Sequence, residues 1–213
     1  MAGLTVASYE NPAAYYEGGR YELNLTFDTL RDKQWQRLLE ILWQPPTLSG
    51  PLATRYYPGQ PTPPSVEVQP IPPTTTVTFR AQLQVEGMVV GCDIEATRSL
   101  FECVSVVVPV AMFREVRAIP TMRQQYPELQ ALDQIFYDLA LRVYDVIPFK
   151  IAAIGYERTC QLPMELQTDP HVRHEFLTTG NFLAQDEVLM LIEPDISPYQ
   201  QVRPDLRWMA PLS

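Results

Sequence analysis

Histidine, cysteine and glycine are all scarce in this chain. It has two histidines, three cysteines and nine glycines in 213 residues. No G-x-x-x-x-G-K-[ST] loop, G-x-G-x-x-G turn, G-x-S-x-G elbow or H-E-x-x-H helix occurs, which removes the phosphate cradles, nucleophile elbows and zinc helices with the most specific spacing. Positive charge is also short, with 16 Lys and Arg against 25 Asp and Glu. Nucleic-acid and anionic-membrane binding draw their energy from clustered cations, so neither is expected as a partner. The longest apolar run, Val104–Phe113, is interrupted by Ser105 and Pro109. It is about half of what a membrane span needs. The first twenty residues have no basic stretch leading into an apolar one, so no secretory signal is expected. The cysteines, Cys92, Cys103 and Cys160, form no C-x-x-C pair. An odd count without a motif fits a reducing, cytoplasmic setting.

What the chain has in excess is proline, 21 residues, roughly twice the usual share. Ten of them fall between residues 45 and 73. This stretch reads as an extended excursion from a single domain spanning 1–213, and residues 194–213 read as an irregular tail. Arg55 to Pro61 fits R-x-x-P-x-x-P, a form read by polyproline-binding modules. Gly59 loosens it, so a mechanical connection is the preferred reading. The apolar fraction of 46% is that of a globular protein.

Between the proline-rich parts the periodicity is clear. Gly19–Phe27 alternates, with Leu23, Leu25 and Phe27 on one face, and predicts a strand. Trp35, Leu38, Leu39 and Leu42 recur at helical spacing, with Asp28 or Thr29 as the cap and Pro45-Pro46 as the stop. Thr74–Val85, Met88–Thr97 and Leu100–Val108 predict a meander turning first at Glu86-Gly87. Pro127 opens a second helix with Leu129, Leu132, Phe136, Leu139 and Val143 on its apolar face. Pro148–Arg158 and Glu187–Ile192 predict two more strands. The sum is α+β, a mostly antiparallel sheet of about six strands with two packed helices.

Chemistry-bearing residues are few. His171 and His174 would share a helix face, with Asp169 and Glu175 near, and could bind a metal only with a further ligand; a helix start capped by Asp169 is the plainer reading. Asp93 with Glu95, and Glu193 with Asp195, are paired carboxylates, equally readable as solvated acids. Cys160 would need a base to act as a nucleophile. A tight turn at Thr97-Arg98 would set Cys92 opposite Cys103, where a disulfide is the alternative to two buried thiols. Trp35 and Trp43 read as core. Arg203, Arg207, Trp208 and Met209, with Tyr56 and Tyr57, are the candidate partner-binding residues, since Arg and large aromatics dominate binding hot spots. No catalytic residue, metal or cofactor is assigned. The expectation is a non-catalytic cytoplasmic protein-binding factor, an immunity-like neutraliser or a small subunit of a larger assembly, whose partner has a basic surface. The alternatives are a small hydrolase using His171 and His174 with carboxylates or a metal, and a purely structural subunit.

Overall fold

The computed structural model describes residues 19–44, 48–99, 101–113, 127–156, 160, 162–184 and 199–210. Their architecture is α+β, built on one antiparallel sheet in the order β2-β3-β4-β5-β1-β6-β7-β9-β8. The strands are β1 (Arg20–Phe27), β2 (Leu48–Leu52), β3 (Thr75–Val85), β4 (Met88–Arg98), β5 (Glu102–Pro109), β6 (Ile151–Tyr156), β7 (Gly180–Ala184), β8 (Gln200–Arg203) and β9 (Leu206–Met209). The helices are α1 (Asp32–Leu42), α2 (Pro127–Tyr144), α3 (Pro163–Thr168) and α4 (Pro170–Leu177).

Alternation sorts the side chains into two faces. Toward α1 and α2 point Tyr21, Leu23, Leu25 and Phe27 of β1, Cys92 and Ile94 of β4, and Val104, Val106 and Val108 of β5. They bury against Trp35, Leu38 and Leu42 of α1 and Leu132, Phe136 and Val143 of α2. Tyr21 places its hydroxyl on the Asp133 carboxylate of α2. On the opposite face Ile151, Ala153, Leu183 and Met209 make a second, smaller core with Leu166 of α3 and Phe176 of α4. The sheet is therefore covered on both sides, which is why β1 is buried along all but its first residue.

Among the described residues the sheet has nine strands and there are four α-helices, where about six strands and two helices were expected. Leu48–Leu52, inside the proline-rich region, pairs with β3, and a bulge between Ser49 and Leu52 accommodates the irregular stretch. The C-terminal segment read as irregular contains the β8–β9 hairpin, with β9 paired to β7. Its backbone groups find partners in the ladder despite Pro204, which lies in the turn. The strand expected at Glu187–Ile192 and the stop at Pro45-Pro46 lie outside the described residues. The cap is also corrected: α1 starts at Asp32, where Gln34 Oε1 accepts from the Arg31 N–H at 2.9 Å, and Asp28 pairs instead with Lys150.

The register settles the cysteines. Thr97, not Cys92, lies opposite Cys103, and Cys92 pairs with Ala81 on the helix-covered face. Cys103 points to the other face and is bonded to Cys160, their Cα atoms 6.4 Å apart. The fully buried Cys92 thiol is pushed well above its ordinary pKa, first by burial and then by the charge of Asp93.

The β3–β4 hairpin turns as expected at Glu86-Gly87, with φ of 48° and 77° at the two residues. Two left-handed residues define the turn whose twist suits a two-residue hairpin, and Asn-Gly is its best sequence. Glutamate at the first position is strained by its Cβ. Glu86→Asn should stabilise the fold by about 0.5–1 kcal/mol, read as a higher midpoint in urea unfolding. The β8–β9 hairpin is pinned to α2 by Arg203, which donates to Asp145 from Nε at 2.6 Å and Nη2 at 2.8 Å. That hydrogen bonding holds the Asp145 carboxyl below its ordinary value of 3.8. The stabilisation is present above that value and is lost as pH falls through the depressed one. Asp145→Asn should therefore cost stability at pH 7 and progressively less as pH is lowered below 3.8, measured by urea unfolding across that range.

Candidate functional site

Helix α1 buries Trp35, Leu38, Leu39 and Leu42 and leaves Lys33, Gln36 and Glu40 exposed along its outer side. The end of the proline-rich segment runs past that side. Ile71 is buried and Val68 half-buried against the core, while Glu67, Gln69 and Pro70 stay exposed. Between helix and segment lies a groove of about 690 Å³, within the size range of ligand sites. Its apolar lining comes from Trp35, Leu39, Trp43, Val68 and Ile71, with Pro70, Pro72 and Pro73 along one wall.

Arg98 fastens that wall. Its Nη1 donates to the Ile71 carbonyl at 2.9 Å and to Asp32 Oδ1 at 2.9 Å. Its Nε lies 3.8 Å from Glu102, an ion pair too long to be a hydrogen bond. The guanidinium sits 6.0 Å from the centre of the Trp35 ring, a cation–π distance, and the Trp35 indole N–H donates to the same Glu102 carboxylate. Strand β4, helix α1, the start of β5 and the proline-rich segment thus meet at one guanidinium. At the other end Trp43 packs edge-on against Phe79, and its indole N–H is buried with no acceptor. The ring is held close: a Cβ on Gly50 would come within 2.9 Å of it.

The groove's electrostatics lean acidic. Asp32, Glu40 and Glu67 border it against Lys33 and Arg98, and Arg98 is committed to Asp32 and Glu102. The wall 70–73 has prolines at three of its four positions and so a single backbone N–H, and its Ile71, Pro72 and Pro73 carbonyls already accept from Arg98 Nη1 at 2.9 Å, Thr75 Oγ1 at 2.7 Å and Thr74 Oγ1 at 2.7 Å.

The expected partner-binding residues are drawn into the fold itself. Trp208 packs on Phe182 and Tyr137 with ring centres 4.4 Å and 5.2 Å away. Met209 is buried in the smaller core, Arg203 is paired with Asp145, and Arg207 is half-buried on β9. Tyr56 is buried and Tyr57 packs against the main core. Arg55 lies 3.4 Å from Asp93, so the R-x-x-P-x-x-P pattern has its arginine turned inward. His171 and His174 are both exposed on α4, whose start Asp169 caps by accepting from His171 N at 2.8 Å and Val172 N at 3.2 Å. Among the described residues no group of three or more His, Cys, Asp or Glu could hold a metal. Asp93 and Glu95 do share a face, but fully buried Asp93 is taken by Arg80 at 3.0 Å and by Arg55. Glu193, Asp195, Glu157 and Arg158 lie outside the described residues.

The sequence carried one signal for the groove: Val66, Val68 and Ile71 are the only branched aliphatic residues from Pro58 to Pro73, marking where that segment could dock. No family model, curated protein or solved structure matches the chain. No helix among the described residues is long and apolar enough to cross a membrane.

Arg98 is 13% exposed and Glu102 6%. Removing one partner of such a pair leaves an uncompensated charge in poor solvent. Arg98→Ala should lower stability by about 3 kcal/mol and speed amide exchange at Val68 to Ile71. Urea unfolding and hydrogen-exchange mass spectrometry read the two effects separately.

Proposed function

We propose that this protein is a non-catalytic binding factor that takes an apolar, base-flanked segment of a partner protein into the groove between α1 and residues 67–73. The observation that carries the reading is the combination of lining and border: aromatic and aliphatic side chains inside, carboxylates at the edge. Apolar anchors would supply affinity through burial. Lysine or arginine beside them would oppose Glu40 and Glu67. The net charge of −9 favours encounter with a basic partner. This reading moves the contact from the C-terminal hairpin, where Trp208 and Arg203 already have partners within the chain, to a surface bordered by the exposed Lys33, Gln36, Glu40 and Glu67.

The test is a selection from a displayed random-peptide library, followed by titration of the recovered peptides against the protein's own tryptophan fluorescence. Recovered peptides should combine apolar residues with Lys or Arg. Their affinity should fall at least tenfold, about 1.4 kcal/mol, on the double charge reversal Glu40→Lys/Glu67→Lys and on Gln36→Trp, which fills the groove from an exposed position. Met164→Ala, at an exposed site on α3, should leave binding unchanged. Recovered peptides that are acidic, or that bind the groove variants as well as the parent, would overturn the reading.

A further inference from the structure

The Cys103–Cys160 bond joins two unlike sulfurs. Cys103 sits on β5 and is 3% exposed, whereas Cys160, between β6 and α3, is half-buried and the more accessible of the two. The floor beneath Cys160 is polar. Asn24 of β1 lies directly across from Ser105 of β5, and the Ser105 hydroxyl donates to Asn24 Oδ1 at 2.5 Å. Cys160 Sγ lies 3.3 Å from Ser105 Oγ and 3.6 Å from Asn24 Oδ1. A disulfide sulfur has no proton to donate and accepts only weakly, and the Ser105 proton goes to Asn24 Oδ1, so in the bonded state Cys160 donates to neither oxygen. A Cys160 thiol does have a proton, and both oxygens stand as acceptors for it. The reduced state is thus provided for in place, which a permanent structural bridge in an apolar core would not need.

We propose that Cys160 is a thiol–disulfide exchange site for small thiols of the glutathione class, with Cys103 as its buried resolving partner. The external thiolate attacks the accessible Cys160 Sγ, the Sγ–Sγ bond breaks, and Cys103 leaves as a thiolate and takes up a proton. A second external thiolate then displaces the mixed disulfide. Two external thiols are oxidised to one disulfide, and the bridge gains two electrons and two protons as two cysteine thiols. In the oxidised state Cys160 is bonded to Cys103 on the polar face of the sheet; in the reduced state its thiol keeps the contacts to Ser105 and Asn24. Cys92 takes no part, being buried on the opposite face. This assignment stands independently of the groove.

The full-length protein equilibrated across a series of reduced-to-oxidised glutathione ratios, then alkylated and mapped by mass spectrometry, tests this. Cys103 and Cys160 should become alkylatable together as the mixture grows reducing and be protected together when it is made oxidising again. Cys92 should stay unmodified and the circular dichroism native throughout. Oxidised glutathione should add to Cys160 in Cys103→Ser and not to Cys103 in Cys160→Ser. The proposal is overturned if the bond never forms in oxidised glutathione. It fails equally if reduction exposes Cys92 in the same step, since the bridge is then part of global stability. The wild-type titration decides the matter even where a serine variant does not fold.

Discussion

The sheet depends on β1. It is the first strand in the described chain, yet it lies between β5 and β6 and is the one strand joining the two halves of the sheet. Its partners are remote in sequence: Leu23 faces Val106 on one side and Ile154 on the other. No local turn can bring these together, so loop closure must be met before either ladder rewards it. β3 to β5 form a local meander, with β2 joined to it through the proline-rich segment, and β6 to β9 follow one another in sequence. Without β1, each half would present an unpaired edge.

The same strand explains why polar residues are buried at the middle of the sheet. Being covered on both faces, β1 has to place its second set of side chains, Glu22, Asn24 and Thr26, out of water. Glu22 and Asn24 are answered locally. Arg20 reaches Glu22 at 3.1 Å, Asn24 Nδ2 donates to Glu22 at 3.3 Å, and Ser105 donates to Asn24. Two strands away Asp93 is met by Arg80 and Arg55. Unpaired charge in such a place would cost several kcal/mol, so arginine is confined to the edge of this polar row, where its tip still reaches solvent. Tyr199 follows the same logic on β7's side, bonding Asn181 at 2.6 Å; burial raises its pKa.

How much of this could be read from the sequence follows from where the stabilising information lies. Alternation and helical spacing are local, so β1, β3 to β6, α1 and α2 were legible from residues such as Leu23, Trp35 and Phe136. β2 was not, because Leu48–Leu52 carries Gly50 and Pro51 and is a strand only by pairing with β3. β9 is four residues long and owes its place to Trp208 packing on Phe182, a contact across sequence that no window shows. The cysteine pairing failed for a related reason: a turn placed at Thr97-Arg98, rather than at 99–101, shifts the register and sends Cys92 to the wrong partner. The groove was illegible because neither wall makes it alone. Lys33, Gln36 and Glu40 look like any solvated helix face until Ile71 docks opposite them.

Groove and bridge meet at the start of β5. Glu102 points to the helix side, where it accepts from Trp35 and faces Arg98. Its neighbour Cys103 points to the other side and is bonded to Cys160. One peptide unit therefore anchors both features, which invites the idea that the state of one sets the other. Adjacency alone does not establish this, since coupling needs an element with two arrangements that both sites bias. The strand between them is not such an element: β5 is paired on one side with β4 from Glu102 to Val107 and on the other with β1 from Glu102 to Pro109. A strand fixed by ladders on both edges transmits little displacement from one face to the other. The bridge instead joins β5 to Cys160, ahead of α3 and α4 in the chain. The groove keeps its shape through Arg98, so the two features can serve the protein independently although they share a backbone.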